Sequence, residues 1–345
     1  MVDKKKQYVI VNYWQINMLL DILLLVLGIV FILLGADSLT NGASDLARRW
    51  GVSELIIGLT VVAMGTSMPE LVVSVISSIE NKPELAIGNV VGSNLFNTLI
   101  ILGATALICP VTVSKQVIGK DIPWSILAST ILLFMACDSI LDGNANNSIS
   151  RSDGLVLLLI FITFIYYTIL VAKKDDKQDR IEAKKADDAG ELEVKHTPLW
   201  KSLLFIVLGL AGLIIGGNIF VDSASSIAFR MGMSESLVGL TIVAMGTSVP
   251  ELATSIVAAF KNKAGMAVGN AIGSNIFNIL LILGASASIT PLKMGNITPI
   301  DLLVLLGVSL LVWLFARTSH ILSRLEGGIM IIIYLCYIVY LIFAQ

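Results

Sequence analysis

Ten apolar runs, each long enough to cross a lipid bilayer as a helix, follow one another along the chain. The hydrocarbon core of a bilayer is about 30 Å thick, which takes roughly 20 helical residues. Charged residues, Gly or Pro bound the runs. The predicted spans are 19–40, 53–79, 84–108, 122–140, 154–172, 200–222, 235–260, 265–290, 299–316 and 326–344. An all-α integral membrane protein with ten transmembrane helices is therefore expected.

The composition agrees with a membrane protein and argues against other classes. Hydrophobic residues make up 56% of the 345 residues and charged residues 14%, with a mean hydropathy of +0.88, whereas soluble domains average about a quarter charged. The net charge is -2 and no large basic cluster occurs, so no nucleic-acid partner is expected. Cys109, Cys137 and Cys336 are far apart, which argues against a disulfide framework or a thiolate metal site.

Two segments of the first half of the chain recur in the second half at one fixed offset. Residues 58–78 match 239–259 at 13 of 21 positions, and 87–111 match 268–292 at 15 of 25. Both matches have an offset of 181, since 239 − 58 and 268 − 87 are equal. An internal repeat of this kind predicts two homologous halves of five spans each.

An odd number of spans in each half determines how the halves are oriented. The halves 19–172 and 199–345 are joined by the charged segment 173–198, predicted to be a solvated linker. If each half crosses the membrane five times, the second half enters from the side opposite to the first, so the repeats are inverted. Inverted repeats are typical of secondary transporters, whose substrate sites lie near the midplane.

Lys and Arg predict the orientation of the chain in the membrane. With the linker 173–198 in the cytoplasm, 16 of these residues lie inside and 7 outside, although Lys4, Lys5 and Lys6 are among the 7. Both termini are therefore expected outside the cell, in a multi-pass plasma membrane protein. The N-terminal extension 1–18 is not followed by a small-residue cleavage site, so a cleaved signal peptide is not expected.

A glutamate lies near mid-depth of the second span and of the seventh, within GTSMPE (65–70) and GTSVPE (246–251). An acidic residue at a helix centre costs at least about 2.5 kcal/mol on insertion scales, so it indicates a functional site by default. The alternative for Glu70 and Glu251 is a neutral glutamic acid hydrogen-bonded between helices. Duplication of the whole neighbourhood favours the functional interpretation.

The residues before each glutamate supply further oxygen ligands. Thr66 and Ser67 precede Glu70 by four and three positions, so the three side chains share one helical face. Pro69 has no N–H and crowds the preceding turn, which opens the helix and turns the carbonyls of Ala63 and Thr66 toward an internal cavity. The second copy supplies Thr247, Ser248, Pro250 and the carbonyls of Ala244 and Thr247.

A polar stripe lines the third span and recurs in the eighth. Asn89, Ser93 and Asn97 follow at intervals of four and share one face. The expected ligands from the two stripes are Ser93, Asn97, Ser274 and Asn278. Interhelical hydrogen bonding is an equally good interpretation of Asn89, Asn94, Asn270 and Asn275. The GxxxG spacing of Gly88/Gly92 and Gly269/Gly273 predicts close helix packing.

These ligand types indicate which ions the site would hold. Carboxylates, carbonyls and hydroxyls are hard ligands that suit Ca²⁺ and alkali cations. Two carboxylates carry a charge of about -2, which one Ca²⁺ or two monovalent ions neutralise. One Ca²⁺ or two monovalent ions can neutralise such a site, and where the site is too small to hold all of them together, the two sets exclude each other. This mutual exclusion is the minimum that an antiporter requires. Protons are a third competitor for the carboxylates.

The two motif pairs resemble those of a known family of ion exchangers. GTSMPE followed by GNVVGSNLFN, and GTSVPE followed by GNAIGSNIFN, are similar to the two α repeats of the sodium/calcium exchanger family, within the cation/calcium exchanger superfamily. The repeats correspond to 58–111 and 239–292, and the short linker resembles that of prokaryotic members. The resemblance implies two inverted five-helix repeats and a secondary antiporter, with no enzymatic activity and no cofactor.

The resemblance also implies which residues bind the transported ions. In the family, ion sites cluster around two glutamates, which match Glu70 and Glu251. Many sodium/calcium members have an aspartate where this chain has Asn278, which leaves the coupling ion open. The other implied ligands are Ala63, Thr66, Ser67, Ser93, Asn97, Ala244, Thr247, Ser248, Ser274 and Asn278.

In the family, the first and sixth spans are long helices that slide during alternating access. In this chain they carry four polar residues, Asp37, Asn41, Asn218 and Asp222.

The expected activity is export of Ca²⁺ in exchange for Na⁺, by alternating access to a midplane site. The expected partners are Ca²⁺ and Na⁺ as substrates and the lipid bilayer as surroundings. H⁺/Ca²⁺ exchange is the nearest alternative, and a cation channel is a more distant one. An intramembrane aspartyl protease also uses paired acids in the membrane, but its acids are aspartates. The sequence does not define an oligomeric state.

Overall fold

The computed structural model describes residues 2–137, 147–186, 198–232, 244–295 and 297–344, with the backbone alone for 2–17, 172–186, 244, 319, 342 and 344. Almost all of these residues are helical. The elements are α1 Val2–Trp50, α2 Glu54–Thr66, α3 Met68–Ile79, α4 Pro83–Ile108, β1 Val111–Thr112, α5 Val117–Met135, β2 Ser148–Ile149, α6 Arg151–Ala186, α7 Leu199–Arg230, α8 Ala244–Gly246, α9 Val249–Phe260, α10 Ala264–Ile289, β3 Leu292–Lys293, α11 Pro299–Ser319, β4 Ile321–Leu322 and α12 Arg324–Ala344.

The predicted all-α membrane architecture is confirmed. Eight of the described helices are each long and apolar enough to cross a membrane, and the bent pair of α2 and α3 raises the number to nine. The predicted seventh span, 235–260, begins outside the described residues, and α8 and α9 form its described part. The total of ten spans therefore stays a prediction.

Most helices begin and end near the predicted span limits, but α1 already begins at Val2, within the predicted N-terminal extension 1–18, and four further limits differ. The first span covers Met18–Trp50 rather than 19–40, and the sixth continues to Arg230 rather than 222. The fourth span is Val117–Met135 rather than 122–140. In addition, α6 continues to Ala186, so the first part of the predicted linker 173–198 is helical. Polar residues ended both predicted spans. In α1, Asp37 and Asn41 are tolerated within the helix because Lys261 contacts them.

The two longest spans, α1 and α7, pack antiparallel along most of their length. Glycines allow this close approach, because a Cβ added at Gly209 would lie 2.5 Å from the backbone nitrogen of Leu39. At the end of α7, Arg230 forms an ion pair of 2.9 Å with Asp21 of α1. The two helices therefore form one unit, packed backbone against backbone and joined by an ion pair at one end.

The close packing predicted for one of the GxxxG pairs is confirmed. A Cβ at Gly269 would lie 2.4 Å from the carbonyl oxygen of Leu55, and one at Gly273 would lie 2.5 Å from that of Leu59, so α10 lies directly against α2. By repeat equivalence, Gly88/Gly92 would face 236–240, a segment outside the described residues, and that part of the prediction is untested.

Two short antiparallel strand pairs join the first half of the chain to the second. β1 pairs with β4, with Val111 opposite Leu322, and β2 pairs with β3, with Ile149 opposite Leu292. Paired strands lie on the same side of the membrane, so an even number of crossings separates them. Between β2 and β3, the helices α6, α7 and α10 can each cross once. An even number requires one more crossing, which the predicted seventh span, with α8 and α9 as its described part, would supply. The pairing thus supports the inverted topology.

Both glutamate-bearing segments break at the serine two residues before the proline. The chain bends by 45° between α2 and α3, at Ser67 with φ −82° and ψ 6°. Ser248, between α8 and α9, has φ −91° and ψ 6°. Pro69 and Pro250 lie in the first turn of the next helix, where a missing N–H costs little. The predicted helix opening is therefore present in both repeats.

Two largely buried helices, α4 and α10, lie at the centre of the fold. Each contains a π-helical stretch that begins at an asparagine of the polar stripe, Asn97–Ile101 in α4 and Asn278–Leu283 in α10. A π-helical turn holds an extra residue and is frequent at functional sites. These turns give the two central helices the same irregularity at equivalent positions.

Candidate ion-binding site

Glu70 and Glu251 are fully buried, and each accepts a hydrogen bond from a serine of the other repeat. Ser67 donates to Oε1 of Glu251 at 2.9 Å, and Ser248 donates to Oε1 of Glu70 at 3.0 Å. Ser274 of α10 donates to the same oxygen of Glu251 at 3.4 Å. Each glutamate also lies in the first turn of a helix, where the helix dipole favours negative charge. The two predicted half-sites thus form one site.

Asn270 connects the second glutamate to the first repeat. Its amide nitrogen donates to the backbone carbonyl of Glu251 at 3.2 Å and to the hydroxyl of Ser255 at 3.0 Å. Its amide oxygen accepts from Thr66 at 3.2 Å. Asn270 therefore fixes the start of α9 relative to the end of α2, which is the hydrogen-bonding role that the sequence left as an alternative to ion binding.

Asn89 makes the equivalent contacts around the first glutamate. It donates to the backbone carbonyl of Glu70 at 3.2 Å and to Ser74 at 2.9 Å, and accepts from Thr247 at 3.4 Å. Ser74 and Ser255, the serines that these two asparagines contact, were not singled out from the sequence. The sequence did contain a signal, because each serine follows its glutamate by four residues and the two serines are related by the repeat offset of 181.

Two more asparagines hold α4 and α10 together. Asn94 donates to the backbone carbonyl of Asn275 at 3.3 Å, and Asn275 donates to Thr98 at 2.7 Å. The amide of Asn278 donates to Oδ1 of Asn94 at 2.9 Å. The amide groups of Asn94 and Asn275 are therefore used for interhelical hydrogen bonds.

Several buried oxygen atoms near these contacts have no hydrogen-bond partner within the described part of the chain. They belong to Glu70 (Oε2), Ser93, Asn97, Glu251 (Oε2), Asn275 and Asn278. Buried polar atoms are nearly always paired, so a concentration of unpaired oxygens indicates groups that bind a ligand. A set of neutral oxygens around two carboxylates suits a hard cation.

The structure describes the predicted backbone ligands only in part. The carbonyl of Ala63 accepts from the N–H of Ser67 at 3.0 Å and from the hydroxyl of Thr66 at 3.4 Å, so both of its bonds stay within its own helical segment. Ala244 is the first residue of α8, and its backbone alone is described. These two carbonyls remain predicted ligands.

A cavity of about 410 Å³ lies between α2 and α6 but does not have the character of an ion site. It is lined mainly by apolar side chains, including Ile57, Met64 and Phe277. Its two threonines, Thr60 and Thr168, donate to carbonyls of their own helices. The cavity therefore offers almost no oxygen to a cation.

The polar residues of α1 have a partner at the end of α9. The ammonium group of Lys261 lies 2.5 Å from Asp37 and 2.7 Å from the amide oxygen of Asn41. Because 261 − 181 is 80, the repeat counterpart of Lys261 is Glu80. This contact between α1 and α9 therefore uses a residue pair that the other repeat lacks.

The fold and the candidate site together define a class of protein, a membrane transporter with inverted repeats and a buried cluster of oxygen atoms suited to a cation. The family model described as sodium/calcium exchanger protein matches residues 20–170 and 201–343. The chain therefore belongs to the sodium/calcium exchanger family. It is a transporter rather than an enzyme, and its activity is cation/Ca²⁺ exchange.

Individual relatives cover nearly the whole chain. The inner membrane protein YrbG of Escherichia coli is 38% identical over 303 residues, which are 85% of this chain and 88% of YrbG. The sodium/calcium exchanger MaX1 of Methanosarcina acetivorans is 31% identical, over 94% of this chain and 99% of MaX1. The solved structure of the sodium-calcium exchanger NCX_Mj, soaked with Na⁺ and Ca²⁺, superposes with a TM-score of 0.78 at 32% identity, over 93% of this chain and 98% of that one.

Proposed function

We propose that this exchanger carries Ca²⁺ out of the cell while Na⁺ enters, by alternating access to the site around Glu70 and Glu251. The observation that carries the proposal is the reciprocal contact of these two fully buried carboxylates with Ser248 and Ser67 of the opposite repeats. Two buried charges inside a bilayer are costly unless they are neutralised. One Ca²⁺ or two Na⁺ would neutralise the pair.

The two ions compete because they use the same oxygens. Ca²⁺ takes six to eight oxygen ligands at about 2.3 to 2.6 Å, so a bound Ca²⁺ engages both carboxylates and excludes Na⁺ from them. The site changes access only when it is neutralised, and this rule couples the two fluxes. The proposed ligands are Ala63, Thr66, Ser67, Glu70, Ser93, Asn97, Ala244, Thr247, Ser248, Glu251, Ser274 and Asn278.

The assignment of Na⁺ as the counter-ion draws on the similarity to MaX1 and NCX_Mj, which are both described as sodium/calcium exchangers. Asn278 is the residue that bears most directly on this choice, because an aspartate there would add a third charge. The nearest competing activity is H⁺/Ca²⁺ exchange through the same two glutamates.

The proposed topology has two five-helix repeats, 19–172 and 199–345, with the segment 173–198 in the cytoplasm and both termini outside the plasma membrane. The excess of Lys and Arg on the cytoplasmic side, 16 against 7, supports this orientation. The pairing of β2 with β3 supports the inverted relationship of the repeats. The polar composition of 173–198 supports a solvated segment.

Uptake of Ca²⁺ into sealed vesicles tests the proposed counter-ion. The purified chain is reconstituted, and uptake is driven either by an outward Na⁺ gradient at equal pH or by a pH gradient without Na⁺. Uptake driven by the Na⁺ gradient is expected. Uptake driven by the pH gradient alone would replace Na⁺ with H⁺ in the proposal.

Two controls complete the vesicle experiment. Vesicles with the Glu70→Gln/Glu251→Gln double variant report leakage that does not pass through the site. Ca²⁺ currents that are independent of any counter-ion would identify a channel instead of an exchanger.

A further inference from the structure

Two fully buried hydroxyls beyond the candidate site, those of Thr105 on α4 and Ser286 on α10, have no hydrogen-bond partner among the described residues. The two residues are equivalent in the repeats, since 286 − 105 is 181. A helical hydroxyl commonly donates to the carbonyl four residues earlier, as Thr98 does to Asn94 at 2.7 Å. The same unpaired state at equivalent positions in both repeats indicates a shared role.

The π-helical turns bring these hydroxyls into line with the asparagines of the site. Thr105 follows Asn97 by eight residues, which in a regular α-helix of about 100° per residue would leave the two side chains about 80° apart. The π turn that begins at Asn97 takes up one extra residue, which reduces the difference to about 20°. Asn278 and Ser286 are related in the same way.

The packing of α4 indicates which neighbour Thr105 faces. Gly103 and Ala106 face Gly327 of α12, and a Cβ at Gly103 would lie 3.0 Å from the carbonyl oxygen of Gly327. Thr105 points at least about 100° away from both. The same end of α4 also packs against α9, which carries Glu251. Thr105 is thus on the side of α4 that is turned away from α12.

A third unpaired hydroxyl lies on α9 itself. Thr254 is fully buried, follows Glu251 by three residues, and has no hydrogen-bond partner in the described ranges.

In the second repeat, the segment with Ser286 packs against α3, which carries Glu70. Each glutamate helix is therefore packed against a segment of the other repeat that contains an unpaired hydroxyl.

Two other unpaired hydroxyls differ from these three in their position. Ser202 and Ser225 lie on α7, the helix that packs along α1. The hydroxyls of Thr105, Thr254 and Ser286 instead lie on helices that carry ligands of the central site, one or two turns beyond those ligands.

We propose that Thr105 and Thr254 form a weak cation subsite between the central site and the membrane face at which α4 and α9 end. Ser286 contributes to the equivalent subsite between the central site and the opposite face. The ligand is the transported alkali or alkaline-earth cation, with part of its water shell. Neutral hydroxyls replace some of that water without holding the ion tightly, as rapid passage requires. This subsite rests on the proposed function, because it lies on the path that ions take between that membrane face and the central site.

The test measures the apparent KM for Ca²⁺ separately at each face, in vesicles with the protein inserted in one known orientation. Thr105→Val and Thr254→Val keep the side-chain shape and remove the hydroxyl. Each is expected to raise the KM at one face by roughly two- to tenfold, as expected for one lost hydrogen bond, with the other face unchanged. Ser286→Ala is expected to raise the KM at the opposite face. Thr105→Ser keeps the hydroxyl, so its KM should equal that of the wild type at both faces.

Thr168→Val is the matched control, because its buried hydroxyl already donates to the carbonyl of Phe164 at 2.9 Å. Unchanged KM values at both faces in Thr105→Val and Ser286→Ala, or equal rises at both faces, would overturn the subsite. Equilibrium binding of radioactive Ca²⁺ to the purified variants should match the wild type, and weaker binding would mean damage to the central site instead. Measuring Ca²⁺/Ca²⁺ exchange makes this test independent of the counter-ion, so failure of the Na⁺ assignment is a separate outcome.

Discussion

The hydroxyl of Ser67 donates a hydrogen bond of 2.9 Å to the carboxylate of Glu251, across the boundary between the two repeats. The equivalent bond in the other direction joins Ser248 to Glu70 at 3.0 Å. Neither repeat therefore supplies a complete half of the site. A movement of one repeat relative to the other changes the surroundings of both carboxylates at once.

Replacing either serine should weaken ion binding to a similar extent. Ser67→Ala removes a hydrogen bond to a charged group, which contributes about 1.5 to 3 kcal/mol, so the affinity for Ca²⁺ should fall roughly 10- to 100-fold. Ser248→Ala should give a loss of the same size. Ser78→Ala is the control, since its hydroxyl donates to a backbone carbonyl of its own helix, that of Ser74, at 2.8 Å. Normal Ca²⁺ binding by both serine variants would contradict the assignment.

Neutralising either glutamate should abolish Ca²⁺ transport without unfolding the protein. Glu70→Gln and Glu251→Gln keep the side-chain size, but each leaves one negative charge, which is too few to balance a bound Ca²⁺. Radioactive Ca²⁺ uptake measures transport, and size-exclusion chromatography in detergent checks folding. Glu80→Gln, on an exposed loop where Glu80 pairs with Lys82, should transport normally. Near-normal uptake by Glu70→Gln or Glu251→Gln would exclude the site.

A third carboxylate in the site should change the number of Na⁺ ions exchanged. Asn278→Asp raises the negative charge of the empty site from about two to about three, so one more monovalent ion is needed to neutralise it. The reversal potential of exchange current in vesicles measures this ratio. Asn278→Ala also loses the bond to Asn94 but adds no charge, and it should keep the original ratio. An unchanged reversal potential in active Asn278→Asp vesicles would show that this position does not influence coupling.

A methyl group between α1 and α7 should destabilise the protein. Gly209→Ala would place a Cβ 2.5 Å from the backbone of Leu39, which forces the helices apart at a cost of about 1 to 3 kcal/mol. Gly217→Ala, on the same helix, meets no described atom within 4 Å and should be tolerated. Thermal melting in detergent compares the two. Equal melting temperatures would mean that the contact is looser than the structure has it.

Removing the contact of Lys261 with α1 should alter the balance between the two access states. Partly exposed ion pairs contribute at most about 1 kcal/mol, so Lys261→Met should change the ratio of apparent KM values at the two faces by roughly two- to fivefold, with little effect on melting. Lys82→Met removes an exposed pair within a single loop and serves as control. Identical ratios in the two variants would mean that the Lys261 contact does not bias access.

The limits of several helices could not be derived from hydropathy. The predicted first span stopped near Asn41, where polar residues begin, yet α1 continues to Trp50. Asp37 and Asn41 are tolerated within the helix because Lys261, from a distant part of the chain, reaches them. Such a partner is invisible in a local pattern.

The roles within the polar stripes likewise needed the packed structure. The interval of four residues placed Asn89, Ser93 and Asn97 on one face, but it did not separate residues that hold the helices from residues with unpaired atoms. In the structure Asn89 is bonded to the backbone of Glu70, whereas the amide atoms of Asn97 have no partner among the described residues. The difference depends on what lies opposite each side chain.

The sequence by itself determined the membrane class, the two homologous halves, the helix breaks at Pro69 and Pro250, and the two glutamates. Hydropathy, repeat spacing and proline stereochemistry are local properties, and they are readable along one chain. Only the tertiary structure decided that Ser67 donates its hydrogen bond to Glu251 rather than to its neighbour Glu70. It also decided that π-helical turns bring Thr105 and Ser286 into line with the asparagines of the site. Those relationships depend on how the two repeats pack against each other, so they cannot be derived from the residue order of either repeat alone.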